Sequence, residues 1–178
     1  MKVGEEVIGF SGGGFTQVNP GAGEVLYRYV LTEAGALAGR TVVDAYCGVG
    51  FLGRSMARAG ARVTGIDLDP VGLTVTSSLG TQDFRFVVGR VEDVLKDFLP
   101  ADLLLLNPPR TGLAETIPSL LTNSPPEQVI YVSCDPATLA RDLQRMDGQY
   151  QVDQIRAFDL FPQTAHIETV VTLRATNG

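Results

Sequence analysis

A cysteine and a glutamate, each at the end of a predicted strand, are the side chains of this sequence best suited to chemistry. Cys134 follows the apolar run Gln128–Val132, and Pro136 comes two residues later. Because proline ends a strand ladder and favours a first helical turn, we expect Cys134 at the rim of a sheet. The N-terminus of the following helix should lower the pKa of its thiol. Glu168 lies in a second apolar run, so the pair predicts covalent catalysis by the thiolate, followed by proton removal.

The other cysteine and the only histidine are interpreted as structural. An isolated cysteine is more often a small buried residue than a nucleophile, and we assign Cys47 to that role. His166 should face the opposite way from Ile167, so we expect it to orient its surroundings and Glu168 to act as the base. Two cysteines are too few for a disulfide framework or a self-contained zinc site, and no metal site is predicted.

A second group of residues predicts a nucleotide site. Asp44 lies in the predicted strand Thr41–Ala45, and Gly48 and Gly50 form a Gly-x-Gly turn into a helix. An acidic residue before this turn would repel a pyrophosphate, but it suits the cationic methionine portion of S-adenosylmethionine (SAM). Asp67 ends the next strand about twenty residues on, where a carboxylate can accept both ribose hydroxyls. The pattern favours SAM, with NAD as the poorer fit.

The segment Asn107-Pro108-Pro109-Arg110 ends the fourth predicted strand. Two prolines fix an extended backbone, and they direct a carbonyl and the Asn107 amide into the expected pocket. For Arg110 the sequence leaves two alternatives open, a site residue or a solvated surface charge.

The elements that position these residues alternate regularly. We predict strands over Thr41–Ala45, Arg62–Ile66, Arg85–Val88, Asp102–Leu106, Gln128–Val132, Tyr150–Phe158 and Ile167–Leu173. We predict helices over Gly21–Leu37, Leu52–Ala59, Pro70–Leu79, Val91–Phe98, Leu113–Leu121 and Pro136–Met146. Five βα units and a final strand pair predict a doubly wound α/β sheet of seven mostly parallel strands, with one antiparallel edge strand. Ligands of such sheets bind beyond the carboxyl ends of the strands. Those ends carry the candidate residues Asp44, Asp67, Asn107 and Cys134.

Length and charge limit the classes of function. The chain has 178 residues, 44% of them hydrophobic, which suits one globular domain. A net charge of −6 has the wrong sign for gripping phosphate backbones, so a nucleic-acid substrate would require a local basic patch, another domain or another chain. The sequence has no apolar run of the roughly 18 residues that a membrane span needs, and Met1–Glu6 does not resemble a signal peptide. A cytoplasmic location is expected.

Several of these motifs closely resemble the RNA (uracil-5-)-methyltransferases, which make 5-methyluridine in tRNA and rRNA. The resembling segments are Asp44–Gly50, Asn107–Gly112, Ser133–Leu143 and Phe158–Val170, with Gly14–Asn19 similar to the family's Phe-x-Gln-x-Asn entry. The resemblance implies a Rossmann-like, SAM-dependent methyltransferase catalytic domain over residues 15–178. Residues 1–14, which are rich in glycine, are then expected to be a flexible lead or the stump of a linker.

The same resemblance implies a role for each candidate residue. Cys134 would attack carbon 6 of uracil, and Glu168 would remove the proton from carbon 5 after methyl transfer. Residues expected at SAM or target-base positions are Gln17, Asp44, Tyr46, Gly48, Phe51, Asp67, Asn107 and, as a weaker transfer, Arg90.

The chain departs from the family pattern in three ways. Asn107 stands where the family usually has Asp, and Asp135 stands where it usually has Asn. The RNA-binding β-barrel, the insert domain and the iron–sulfur cysteines of full-length members have no counterpart here, so a further domain or chain is expected to bring the RNA. Two alternatives stay open: a nitrogen methyltransferase that uses the Asn-Pro-Pro loop, and a catalytically silent SAM-binding module acting with a partner chain.

Overall fold

A seven-stranded sheet with helices on both faces forms the body of this computed structural model, which describes residues 2–3, 6–7, 20–74, 83–160 and 167–176. The strands are β1 (Lys2–Val3), β2 (Glu6–Val7), β3 (Thr41–Ala45), β4 (Arg62–Asp67), β5 (Phe84–Val88), β6 (Leu103–Leu106), β7 (Gln128–Ser133), β8 (Tyr150–Phe158) and β9 (Glu168–Ala175). The α-helices are α1 (Pro20–Ala34), α2 (Phe51–Arg58), α3 (Val91–Val94), α4 (Thr116–Asn123) and α5 (Pro136–Arg145), and residues 71–74 are also helical. β1 and β2 pair with each other, and the order of the large sheet is β5-β4-β3-β6-β7-β9-β8.

The strand order reverses between β3 and β6, which lie side by side in the middle of the sheet. β3 pairs in parallel with β4 on one side and with β6 on the other. In open α/β sheets this reversal opens a crevice at the carboxyl ends of the strands. The candidate residues after β3, β4, β6 and β7 therefore share one edge of the molecule.

The prediction of seven mostly parallel strands with one antiparallel strand is confirmed, but its placement at the edge is wrong. β9 is antiparallel to both β7 and β8, and it lies between them. The short connection from β8 to β9 favours an antiparallel pair, since a parallel crossover needs about a dozen residues or more. Residues 168–173 of β9 are buried, whereas residues 151–157 of β8 are exposed, so β8 takes the edge.

Helix ends differ from their predicted positions for local reasons. α1 stops at Ala34 and not at Leu37 because Gly35, with φ +69°, breaks the helix. The predicted helix Val91–Phe98 is α-helical only to Val94 and continues as a 3₁₀ turn. Of the helix predicted over Pro70–Leu79, residues 75–79 lie outside the described part.

The core has two layers, one on each face of the sheet. Leu103 and Leu105 of β6 pack toward α1 and α2, while Leu104 and Leu106 pack toward α3, α4 and α5. All four leucines are fully buried, and each such burial contributes about 1.5 to 3 kcal/mol. Within the described residues, no helix is long and apolar enough to cross a membrane.

Candidate active site

The turn after β3 exposes its backbone at the crevice. Gly48 has φ +57° and Gly50 has φ +72°, a left-handed conformation that favours glycine. A Cβ at Gly50 would lie 2.5 Å from Cζ of Phe84, whereas a Cβ at Gly48 would meet no atom within 4 Å. Packing therefore requires glycine at position 50. Gly48 instead presents open backbone to a ligand.

Asp44 lies beneath this turn, and its side chain is hydrogen-bonded to the next helix. Its side chain is 2% exposed, and Oδ2 accepts a hydrogen bond of 2.9 Å from the Gly53 amide in α2. The pKa of Asp44 is raised to about 7, mainly by burial and to a smaller extent by the charge of Asp67, while the Gly53 amide and Arg54 oppose the shift. The Asp44 side chain therefore links β3 to α2 inside the fold. Any effect of its charge on a cationic ligand comes from beneath the protein surface.

Asp67 connects the end of β4 to the turn. Oδ2 accepts a hydrogen bond of 2.7 Å from the Gly48 amide, and Oδ1 accepts one of 2.9 Å from the Asp69 amide. A carboxylate has about four lone-pair positions, so these two bonds orient Asp67 and leave acceptor capacity on both oxygens. The structure brings Asp67 and Gly48 together and leaves Asp67 half-buried at the crevice.

The other predicted cofactor residues occupy different environments. Tyr46 is half-buried with φ +60°, and burial followed by the charge of Glu92 raises its pKa to about 12. Phe51 is 8% exposed, and its ring packs against Tyr27 at a centroid distance of 5.1 Å.

Arg90 is exposed and forms an ion pair with Glu92. Asn107 is exposed, and its backbone N–H donates a hydrogen bond to the backbone of β3. Gln17 and His166 lie outside the described residues.

Cys134 and Glu168 meet where β7 ends and β9 begins. Ser133 and Thr169 form the last pair of this antiparallel ladder, Cys134 follows Ser133, Glu168 precedes Thr169, and the charge of Glu168 acts on the Cys134 thiol. Cys134 is half-buried and Glu168 is 3% exposed. A thiol and a carboxyl group far apart in the sequence are therefore neighbours.

Arg110 acts on both of these groups. Burial raises the pKa of Cys134 and the charge of Glu168 raises it further, while hydrogen bonding and the positive charge of Arg110 lower it. Burial also raises the pKa of Glu168, and Arg110 again opposes the shift. The sequence left Arg110 open between a site residue and a surface charge. In the sequence, the feature that favoured a site residue was the position of Arg110 after two prolines at a strand end.

The pKa of Cys134 is raised and not lowered as expected, because burial and then the charge of Glu168 disfavour the thiolate. The side chain of Asp135 already caps α5, since Oδ1 accepts a hydrogen bond of 2.7 Å from the Thr138 amide. The bond to Thr138 in turn holds the pKa of Asp135 below its usual range. Ser133 Oγ accepts from the Asp135 amide at 3.1 Å, so the turn that carries the thiol is hydrogen-bonded on both sides of Cys134.

Helix α5 is also hydrogen-bonded to the loop that carries Arg110. Thr138 Oγ1 donates to the Arg110 carbonyl at 3.1 Å, and Arg141 Nη2 donates to the Thr111 carbonyl at 2.8 Å. The Leu113 amide donates to Asp142 Oδ2 at 2.8 Å. The helix that begins just after Cys134 thus fixes the loop after β6.

Two sets of groups therefore lie along the carboxyl edge of the sheet. Asp67 can accept hydrogen bonds from a nucleoside beside the open backbone of Gly48, and Cys134 with Glu168 can supply a nucleophile and a base. Among the described residues, no cluster of three or more His, Cys, Asp or Glu side chains could hold a metal ion.

Comparison with known proteins gives a consistent result. Residues 80–176, just over half of the chain, match the tRNA (uracil-5-)-methyltransferase family. An uncharacterised RNA methyltransferase of Enterococcus faecalis is 38% identical over 96% of this chain and 39% of its own length. One from Gloeobacter violaceus is 41% identical over 89% of this chain and 36% of its own length. The structure of Pyrococcus abyssi tRNA (uracil-54, C5)-methyltransferase, in complex with S-adenosyl-L-homocysteine, superposes with a TM-score of 0.78 at 32% identity. That match covers 90% of this chain and 40% of the Pyrococcus chain, so the present chain spans about two-fifths of the length of these relatives.

Proposed function

Because this chain belongs to the tRNA (uracil-5-)-methyltransferase family, we propose that it transfers a methyl group from SAM to carbon 5 of a uridine in RNA. The observation that carries the proposal is that Cys134 and Glu168 flank the last pair of the β7–β9 ladder, Ser133 with Thr169, at the carboxyl edge of a Rossmann-like sheet. Since the chain spans about two-fifths of its relatives' length, we also propose that a further domain or chain delivers the RNA.

The residues at the crevice fit SAM. Asp67 is an oriented acceptor for ribose hydroxyls, and Gly48 leaves room for close approach of the ligand to the backbone. The buried carboxylate of Asp44 and the exposed amide of Asn107 add negative and polar character around the same turn. When bound there, SAM would supply an electrophilic methyl group on its sulfonium.

The chain's own residues would make carbon 5 of uracil nucleophilic. In the proposed step the thiolate of Cys134 bonds to carbon 6, and the electrons of the 5,6 double bond move onto the carbon 4 oxygen. Carbon 5 of the resulting enolate can then accept the methyl group. Glu168 takes the proton from carbon 5, the double bond re-forms, and Cys134 leaves as thiolate. The raised pKa of Glu168 makes it a stronger base than an ordinary carboxylate.

Release of tritium from RNA that carries 5-tritiated uridine tests this mechanism, because the assay reports loss of the carbon 5 proton. With SAM and unmodified tRNA or rRNA transcripts, we expect release by the wild type and none by Cys134→Ala. RNA containing 5-fluorouridine should trap a covalent adduct on the Cys134 peptide, because fluorine cannot leave as a proton does. Tritium release by Cys134→Ala at the wild-type rate would refute the covalent mechanism.

Methylation of nitrogen is the second candidate, favoured by the exposed Asn107 amide followed by Pro108 and Pro109. A polar side chain and a carbonyl on a rigid loop suit acceptance of an amino hydrogen. This alternative predicts methyl incorporation without tritium release, and it predicts that Cys134→Ala keeps its activity. The same pair of assays therefore separates the two candidates.

A further inference from the structure

We propose that Arg156, stacked on Tyr29 beside the candidate active site, binds a phosphate of the RNA strand that carries the target uridine. The inference rests on the proposed function, which makes RNA the substrate, and it names a surface of the chain on which that RNA lies. Because the chain has a net charge of −6, contact with RNA requires local positive charge near the carboxyl edge of the sheet. Arg156 supplies such a charge.

The β8–β9 ladder brings Arg156 near Glu168. Phe158 pairs with Glu168, and Arg156 pairs with Val170. Because side chains two residues apart on a strand share a face, Arg156 lies on the same face of the sheet as Glu168. This is the face that α1 covers, since Phe158 and Val170 belong to the same buried cluster as Val30 of α1. Arg156 therefore lies beside the candidate base, two residues back from the end of β8.

Two aromatic rings hold the guanidinium of Arg156. Its Cζ lies 4.8 Å from the ring centroid of Tyr29 and 5.4 Å from that of Phe158. The two rings also contact each other, with centroids 5.4 Å apart and planes inclined at 54°. Cation–π contact restrains a long side chain, so less conformational entropy is lost when that side chain binds a ligand. Arg156 is nevertheless exposed, and its N–H groups are accessible from solvent.

The carboxylates around this stack have partners of their own. Asp153 Oδ2 accepts a hydrogen bond from Arg174 Nε at 3.3 Å, and Glu33 Oε2 accepts one from Thr172 Oγ1 at 3.2 Å. Arg156 takes part in none of the ion pairs formed among the described residues. Those ion pairs use Arg28, Arg90, Arg141, Arg145 and Arg174. The positive charge of Arg156 is therefore available to a ligand that approaches from solvent.

A phosphate close to the target uridine fits this position. An enzyme that modifies a base takes that base out of the stack or acts on a single strand, so the neighbouring nucleotides must cross the protein surface beside Cys134 and Glu168. Arg156 is two residues along β8 from the level of Glu168, about 7 Å by the rise of a strand. A guanidinium stays charged at physiological pH and presents five N–H donors in a geometry that matches phosphate oxygens.

Equilibrium binding of a short fluorescein-labelled single-stranded RNA tests the proposal, with anisotropy measured at several salt concentrations in the absence of SAM. We expect Arg156→Gln to weaken binding by about fivefold at low salt, the upper end for an exposed ion pair. The slope of log K against log salt should become shallower by about 0.7, the value for one phosphate of a single strand. The loss should be the same for RNAs of different sequence, because a phosphate contact carries no sequence information. Arg156→Lys should keep most of the slope.

Arg85→Gln is the matched control. Arg85 is also exposed, and its Cζ lies 5.7 Å from the ring centroid of Phe98, but it pairs with Thr64 near the amino end of β5, away from the candidate active site. This variant should keep the affinity and the salt slope of the wild type. Tyr29→Leu keeps the charge of Arg156 and removes the ring beneath it, so it should weaken binding less than Arg156→Gln. Thermal unfolding of each variant shows whether it is folded.

Equal affinities and salt slopes for Arg156→Gln and Arg85→Gln would overturn the proposal, and so would the absence of RNA binding by the wild type at low salt. In tritium-release kinetics, loss of a contact made equally in the ground and transition states raises KM and leaves kcat unchanged. A fall in kcat with KM unchanged in Arg156→Gln would therefore also contradict a phosphate contact. Tritium release by Cys134→Ala at the wild-type rate would refute the proposed mechanism and leave the binding result intact.

Discussion

Replacing Asp44 by Asn should stabilise the protein, and the gain should appear only as the pH rises. The Asp44 carboxyl is 2% exposed and accepts a hydrogen bond from the Gly53 amide at 2.9 Å. An Asn side-chain oxygen can accept the same bond without a charge. The substitution therefore removes the cost of a buried anion and keeps the contact between β3 and α2.

The pKa of Asp44 determines the size and the pH window of the effect. Below 3.8 both the folded and the unfolded states hold the proton, so this group imposes no charge cost on folding. Between 3.8 and about 7 the unfolded state has lost the proton and the folded state keeps it, so stability falls as the pH rises. The whole interval corresponds to about 4 kcal/mol as an upper value. For Asp44→Asn relative to wild type we expect a gain of about 1 to 4 kcal/mol at pH 8 and almost none at pH 4.

Urea unfolding followed by circular dichroism, repeated from pH 4 to pH 8, measures this difference. Subtracting the wild-type curve removes the contributions of all other titrating groups. Asp97→Asn is the control, because it removes a negative charge at an exposed position. A difference between Asp44→Asn and wild type that stays constant across the pH range would show that burial does not govern this carboxyl. Binding of SAM should weaken in Asp44→Asn, since the negative charge beneath the turn is lost.

Three further predictions concern the packing that positions the site. Gly50→Ala should cost about 1 to 3 kcal/mol in thermal unfolding, because its Cβ would lie 2.5 Å from Phe84 Cζ, and Phe84→Leu in the same chain should recover part of that loss. Tyr131→Phe should cost about 1 to 3 kcal/mol in urea unfolding, since the hydroxyl that bonds Asp142 at 2.8 Å is removed; an unchanged midpoint would contradict this. Asp135→Ala should cost about 1 kcal/mol through loss of the α5 cap, and Asp135→Asn should cost clearly less when the two are compared by thermal melting.

Much of the fold followed from local patterns in the sequence. The bounds predicted for β3 and β8 are confirmed, because apolar runs flanked by turn residues are read from neighbouring positions alone. The resemblance to the RNA (uracil-5-)-methyltransferases is also confirmed, and so is the Rossmann-like sheet. The prediction that the antiparallel strand lies at the edge was wrong. Sequence periodicity does not determine the order of strands in a sheet, which depends on which faces are buried. The roles of Cys134 and Glu168 stay predictions.

For the candidate site too, some features followed from the sequence and others only from the tertiary structure. The sequence by itself determined which residues carry reactive groups and that Cys134, Asp67 and Asn107 come at strand ends, since these are properties of residue type and short-range pattern. Only the tertiary structure decided that Glu168 comes near Cys134, because β9 inserts beside β7 and pairs Thr169 with Ser133. It alone also showed that burial raises the pKa of the thiol and that the charge of Arg110 opposes the shift. Burial and long-range charge depend on atoms that are distant along the chain, so no local pattern contains them.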